Sequence, residues 1–215
     1  MGKKIIKEIK SIISYLIDII YPEEEKCIIC DEDGFIGICP FCKSKINKIK
    51  KQDEILSYGY YGGILKDLIL SFKYNKNFTA GKVISELLLT LINEEKIDFD
   101  VICYVPMTKK SIKKRGFNQC EIISKYISKN LNIPVSKALI KVKNTKEQKT
   151  LSKEERENNI KDAFIIKVNK EIFKKRILLV DDVITTGTTL LECKKILEKS
   201  GAEKITILTI AKSHI

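Results

Sequence analysis

From Ile177 to Thr189 the sequence leaves little choice of architecture. Ile177-Leu178-Leu179-Val180 is an unbroken apolar run, the pattern of a strand buried on both faces of a parallel sheet. Asp181-Asp182 follow at once, then Val183-Ile184-Thr185-Thr186-Gly187-Thr188-Thr189. The next residues set Leu190, Cys193 and Leu197 at helical spacing and stop at Ser200-Gly201, so a helix is predicted there. KITILTIA, from Lys204, reads as a further strand. Strand, hydroxyl-rich loop, helix and strand in this order imply an α/β fold with a parallel sheet.

The same order carries chemistry. A loop that opens a helix presents backbone N–H groups, aided by the helix dipole, to an anion. Gly187 lets the backbone approach closely, and Thr185, Thr186, Thr188 and Thr189 add hydroxyl donors. Two adjacent carboxylates at the strand end suit sugar hydroxyls or a hydrated Mg²⁺. A phosphate and a polyol can therefore bind side by side.

Four of the seven cysteines stand as Cys27-x-x-Cys30 and Cys39-x-x-Cys42; Cys103, Cys120 and Cys193 are scattered through apolar or helical contexts and read as core. The odd total, with no export signal, argues against a disulfide framework. Two such knuckles joined by a short loop with Gly34 and Gly37 can close four thiolates around one tetrahedral Zn²⁺. With no histidine nearby, that metal is expected to be structural. A segment this small cannot bury a core alone, so metal binding and folding should be coupled.

The amino end sets Ile5, Ile9, Ile12, Leu16 and Ile19-Ile20 at helical spacing, interrupted by Lys7, Glu8, Lys10 and Asp18. This predicts an amphipathic helix ending near Pro22, neither a signal peptide nor a membrane span. A cytoplasmic protein is expected. Basic side chains outnumber acidic ones, 40 to 28, and the excess is local. Residues 109–153 hold 13 basic side chains against Glu121 and Glu147, while the remainder balances 27 against 26. Such a segment points to a polyanion or pyrophosphate partner. Arg115, one of three arginines, suggests a place where a rigid guanidinium fork is wanted. Aromatic residues make up 7% with no tryptophan, so any base stacking would rest on Tyr or Phe.

ILLVDDVITTGTT resembles the phosphoribosyl pyrophosphate (PRPP) loop of type I phosphoribosyltransferases, and lacks both the Walker and the Rossmann glycine patterns. The resemblance implies that Asp181 and Asp182 meet the ribose hydroxyls. It gives the ribose phosphate to Thr185, Thr186, Gly187, Thr188 and Thr189. It places a pyrophosphate loop after the strand Asp100–Pro106, with Thr108, Lys109, Lys110 and Arg115. VPMTKKSIKKRGFNQ narrows the likeness to the ComF family, whose second block is matched by Thr145, Gln148, Leu151, Arg156, Asn159 and Ala163-Phe164. Its leading region resembles IIYP with the paired knuckles, and YYGGILKDLILSFKY resembles the segment between. Glu147 stands where that family commonly has Pro, and Met107-Thr108 where it has Pro-Leu. The polar stretch around Gln148 and Arg156 is expected to close over a bound ligand.

The resemblance thus implies an α/β, type I phosphoribosyltransferase-like parallel sheet flanked by helices, preceded by a small zinc-ribbon-like segment. The expected division is 1–50, an amphipathic helix plus the Cys27, Cys30, Cys39 and Cys42 metal site, and 51–215, the phosphoribosyltransferase-type domain, with the boundary at 51–57. Implied cofactors are structural Zn²⁺, and Mg²⁺ with PRPP. The implied role is DNA uptake in natural transformation, with a phosphoribosyl ligand, single-stranded DNA and a DNA-uptake helicase as partners. An active phosphoribosyltransferase of nucleotide metabolism and a PRPP-sensing regulator stay open as alternatives, so turnover is undecided. The lone histidine, His214, lies too near the end to serve as acid–base.

Overall fold

The computed structural model describes residues 25–50, 54–143, 160 and 162–213. The expected amino-terminal helix, the ligand-loop residues Gln148 and Arg156 with their neighbours, and His214 lie outside the described residues. Elements in chain order are α1 (Pro40–Ser44), β1 (Ile55–Tyr60), α2 (Gly63–Asn75), α3 (Phe78–Glu94), β2 (Val101–Tyr104), α4 (Lys109–Arg115), α5 (Gln119–Leu131), β3 (Leu139–Lys141), β4 (Phe164–Ile166), β5 (Arg176–Ile184), α6 (Thr188–Lys199) and β6 (Lys204–Lys212). A 3-10 turn, Asn169–Glu171, precedes β5.

The main sheet has the order β1-β6-β5-β2, and each neighbouring pair is parallel. This is the type I phosphoribosyltransferase-like sheet that the sequence implied. Leu178 and Val180 face one core with α2, α3 and α5, while Ile177 and Leu179 face another with α6. Alternate residues of one apolar run therefore feed two cores, which is why β5 shows no polar period. β3 and β4 form a separate antiparallel pair that covers the α6 face through Leu139 and Phe164.

Two local features differ from the sequence reading. The strand expected to stop at Val180 runs on to Ile184, because β6 continues beside it through Val183 opposite Ala211 and Ile184 opposite Lys212. Both aspartates, expected at the strand end, thus sit within the strand. The segment expected as a pyrophosphate loop is the short helix α4 from Lys109 onward. Thr108 caps it, its hydroxyl oxygen accepting from Ser111 N–H at 3.2 Å, and Gly116 stops it in the left-handed region at φ 94°.

The cysteine segment is a zinc-ribbon-like appendage seated on α2 and α3. Its turns are held by Cys27 N–H to the Glu32 carbonyl and Ile28 N–H to the Gly37 carbonyl, both 2.8 Å. Gly37 is left-handed at φ 94°, and an added Cβ would lie 2.7 Å from Val83 Cγ2 on α3. Only glycine permits both that turn and that approach.

Candidate functional site

A cavity of about 540 Å³ opens at the carboxyl ends of β2 and β5, where open α/β sheets bind ligands. Its floor is the acidic pair. One Asp182 oxygen accepts from Lys73 Nζ at 2.6 Å and from the Gln119 amide, and the other from Val183 N–H at 2.5 Å. Asp181 accepts from Asp182 N–H at 2.8 Å and faces the Cys120 thiol at 3.5 Å.

These surroundings split the two carboxyls. Burial, then the neighbouring Asp182 carboxylate, pushes Asp181 up to about 7. Burial acts upward on Asp182 as well, but the Lys73 ammonium and the Lys73 and Gln119 hydrogen bonds outweigh it and hold Asp182 below the usual range. Lys73 is raised in turn: burial opposes its charge, and Asp182 more than compensates. Two carboxylates this close cannot both ionise freely, so Asp182 is the charged member and Asp181 the protonatable one.

Opposite the floor, Gly187 turns the chain at φ 76° into α6, which begins without a side-chain cap. The Thr186 and Thr188 hydroxyls lie 2.9 Å apart. A first helical turn without an intrahelical acceptor for its N–H groups suits an anion. Across the cleft, Arg115 donates to Gln119 Oε1 at 2.7 Å. Arg115, Gln119, Asp182 and Lys73 therefore form one connected chain of charge and hydrogen bonds along the wall.

The cavity brings together Asp181, Asp182, Thr185, Gly187, Thr188, Thr189, Thr108 and Arg115 from the sequence-based set. Thr186, Lys109 and Lys110 do not line it; the two lysines are exposed on α4. Lys73, Gln119, Lys141 and Cys120 line it and were not singled out. A signal for Lys73 existed. Leu65 and Ile69, at the two preceding steps of four on α2, are buried, so a lysine continuing that row is a charge on the apolar face. Lys141 is lowered by burial, against the pull of Cys193 and Asp181.

The second cluster is Cys27, Cys30, Cys39 and Cys42, whose sulfurs all lie within 4.8 Å of one another. Cys30 and Cys39 Sγ are 3.7 Å apart, close to the edge of about 3.8 Å that four sulfurs at about 2.3 Å from a tetrahedral metal would show. Cys39 N–H donates to Cys27 Sγ at 3.3 Å and Cys42 N–H to Cys39 Sγ at 3.4 Å. Burial acts against a Cys27 thiolate, but backbone N–H donors of Cys39, Cys30 and Ile29 outweigh it and lower the thiol to about 6. These four residues fit a metal ion.

A phosphoribosyl transferase domain model matches residues 110–214. Competence protein F of Haemophilus influenzae is 34% identical over 179 residues, which cover 80% of this chain and 78% of that protein. The chain belongs to the ComF family. DNA utilization protein YhgH of Escherichia coli K12 is 25% identical over 178 residues, covering 80% of this chain and 78% of that one. Competence protein ComFC of Streptococcus pneumoniae is 24% identical over 221 residues, covering 94% and 96%. Likeness to ComF relatives thus extends well beyond the transferase-type region into the cysteine segment. Among the described residues no helix is long and apolar enough to cross a membrane.

Proposed function

We propose that this ComF protein binds PRPP or a related phosphoribosyl ligand with Mg²⁺ in the cleft, and acts in DNA uptake in the cytoplasm. Single-stranded DNA and an uptake helicase are its partners in this reading. The observation that carries it is the placement of the Asp181-Asp182 pair and the uncapped α6 start around one cavity, with Arg115 on the facing wall. Asp182 accepts from sugar hydroxyls, the α6 start receives the ribose phosphate, and Thr108 and Arg115 face the pyrophosphate. A bound Mg²⁺ supplies charge neutralisation of the pyrophosphate. The relatives' names, competence protein and DNA utilization protein, support the cellular role. Four thiolates without histidine suit structural Zn²⁺ in the cysteine segment.

Group transfer is the second reading, and Asp181 favours it. A carboxyl titrating near 7 is suited to accept the acceptor's proton as the bond from the sugar to pyrophosphate breaks and a bond to the acceptor forms. Calorimetric titration of PRPP with Mg²⁺ tests the binding reading. Saturable heat is expected from the wild type and none from the Asp181→Asn, Asp182→Asn variant. Equal binding by both proteins would remove the acidic pair from the site, and silence from the wild type would refute the ligand itself.

A further inference from the structure

Two exposed rings take no part in the phosphoribosyl reading, Tyr74 on the cleft wall and Phe78 four residues on. Tyr74, near the end of α2, is 61% exposed, and Phe78, the first residue of α3, is 56% exposed. Two large aromatic rings left in water four residues apart call for a cause.

Neither ring is loose. Phe78 packs on Phe117 with centroids 5.3 Å apart and meets Phe72 edge-on at 6.2 Å. Phe72 is 1% exposed and cannot shift toward α3, since a Cβ at Gly81 would lie only 2.7 Å from its ring. Tyr74 lies under the Arg115 guanidinium, 5.7 Å from the ring centroid. The connecting turn is fixed too. Lys76 is left-handed at φ 55°, and its side chain crosses Gly116, where an added Cβ would stand 3.8 Å from Lys76 Cε. Two exposed ring faces are therefore held in place before anything binds, which keeps the entropic cost of using them low.

Cations stand near Tyr74 on the cleft wall. Lys76, Lys114 and Arg115 line the adjoining cavity wall, and Lys113 and Lys110 follow on the exposed helix α4. Aromatic faces flanked by cations complement a strand whose bases are unpaired and whose backbone is anionic. A duplex offers the same phosphates but keeps its base faces stacked inside.

We infer that Tyr74 and Phe78 form a base-stacking platform for single-stranded nucleic acid, with its phosphates on Lys76, Lys114 and Arg115. The inference rests on the DNA reading above and adds where the strand lies: across the mouth of the phosphoribosyl cleft. Arg115 touches both Tyr74 and Gln119, so the strand and the cleft ligand share one residue.

Fluorescence anisotropy of the full chain with a labelled oligothymidylate tests this. Tyr74→Ala should weaken binding about tenfold, the loss of one stacked base, while Tyr74→Phe stays close to the wild type. The salt dependence should be unchanged in Tyr74→Ala and shallower by about 0.7 in Lys76→Gln, the loss of one phosphate contact on a single strand. Phe78→Ala should act as Tyr74→Ala does; Tyr74, exposed and outside the core, keeps the test valid if Phe78→Ala fails to fold. Wild-type binding with both alanine variants unaffected would overturn the platform and leave the DNA reading standing. Equal affinity for a blunt duplex would also overturn it, as contact by phosphates alone. Absence of strand binding by the wild type would overturn the DNA reading and the platform together.

Discussion

Asp181 is a residue placed against its own stability. Its carboxyl is raised to about 7 by burial and by Asp182, against about 3.9 in an unfolded chain. Between those values the folded state binds the extra proton, so stability falls as pH rises from about 4 to about 7 and then levels off. Asp181→Asn removes that cost and keeps an oxygen for the Asp182 N–H. The ligand-free variant is expected to melt a few degrees above the wild type at pH 7.5, at about 2–4 °C per kcal/mol for a chain this long. At pH 4, where the wild-type carboxyl is protonated, the two should melt together. Thermal scans at both values check this, and an unchanged midpoint at pH 7.5 would mean that Lys73 already neutralises the whole pair. Asp182 has the opposite sign: held below the usual range, it adds stability above about pH 4 that is lost as acid protonates it.

At the scale of elements, the sheet leaves neither outer strand bare. Beside β1, Ile49 N–H donates to the Tyr58 carbonyl at 3.1 Å and Tyr60 N–H to the Asn47 carbonyl at 2.9 Å. Beside β2, Ile102 N–H donates to the Pro134 carbonyl and Ser136 N–H to the Ile102 carbonyl. Covered edges protect a short parallel sheet from pairing with other chains. Gly59 makes the first cover possible, since a Cβ there would stand 2.7 Å from the Asn47 carbonyl oxygen. Gly59→Val should cost about 1–3 kcal/mol through this backbone clash, read as a lowered melting temperature with more aggregation on heating; a wild-type midpoint would show that the cover can shift freely. These edge pairings were not legible in the sequence, because bonds between distant segments follow no local period. The β5–α6 unit was legible: its apolar run, acidic pair, glycine and helical spacing are consecutive. The cysteine knuckles were legible for the same reason. The short helix α4 was not, because its seven residues include five cations and its only start and stop signals are Thr108 and Gly116. The cleft floor was half legible. Asp181 and Asp182 are consecutive in one motif, whereas Lys73 and Gln119, from two other ComF-like stretches, reach them from α2 and α5.

For the molecule as a whole, the cysteine segment and the cleft are joined by α2. Ile64, at the start of that helix, packs against Cys27, Cys39 and Cys42, and Lys73, nine residues on, holds Asp182. At about 1.5 Å per residue the helix spans the roughly 14 Å between them. Ile29 and Ile38 pack at once against the cysteines and against the main core. A metal ion that orders the four sulfurs therefore orders side chains that the larger core also uses, and its binding energy adds to the stability of the whole chain. Chelation is expected to lower the melting temperature by about 5 °C or more, given the large binding energies of four-thiolate sites, in one calorimetric transition. Acid should favour release, since ligand thiolates must be deprotonated and protons compete with the metal for them. Two separate transitions, or an unmoved main transition in the chelated protein, would show that the cysteine segment melts on its own. The coupling across Ile29, Ile38 and Ile64 would then carry no energy, and α2 would seat Lys73 at the acidic pair without help from the metal.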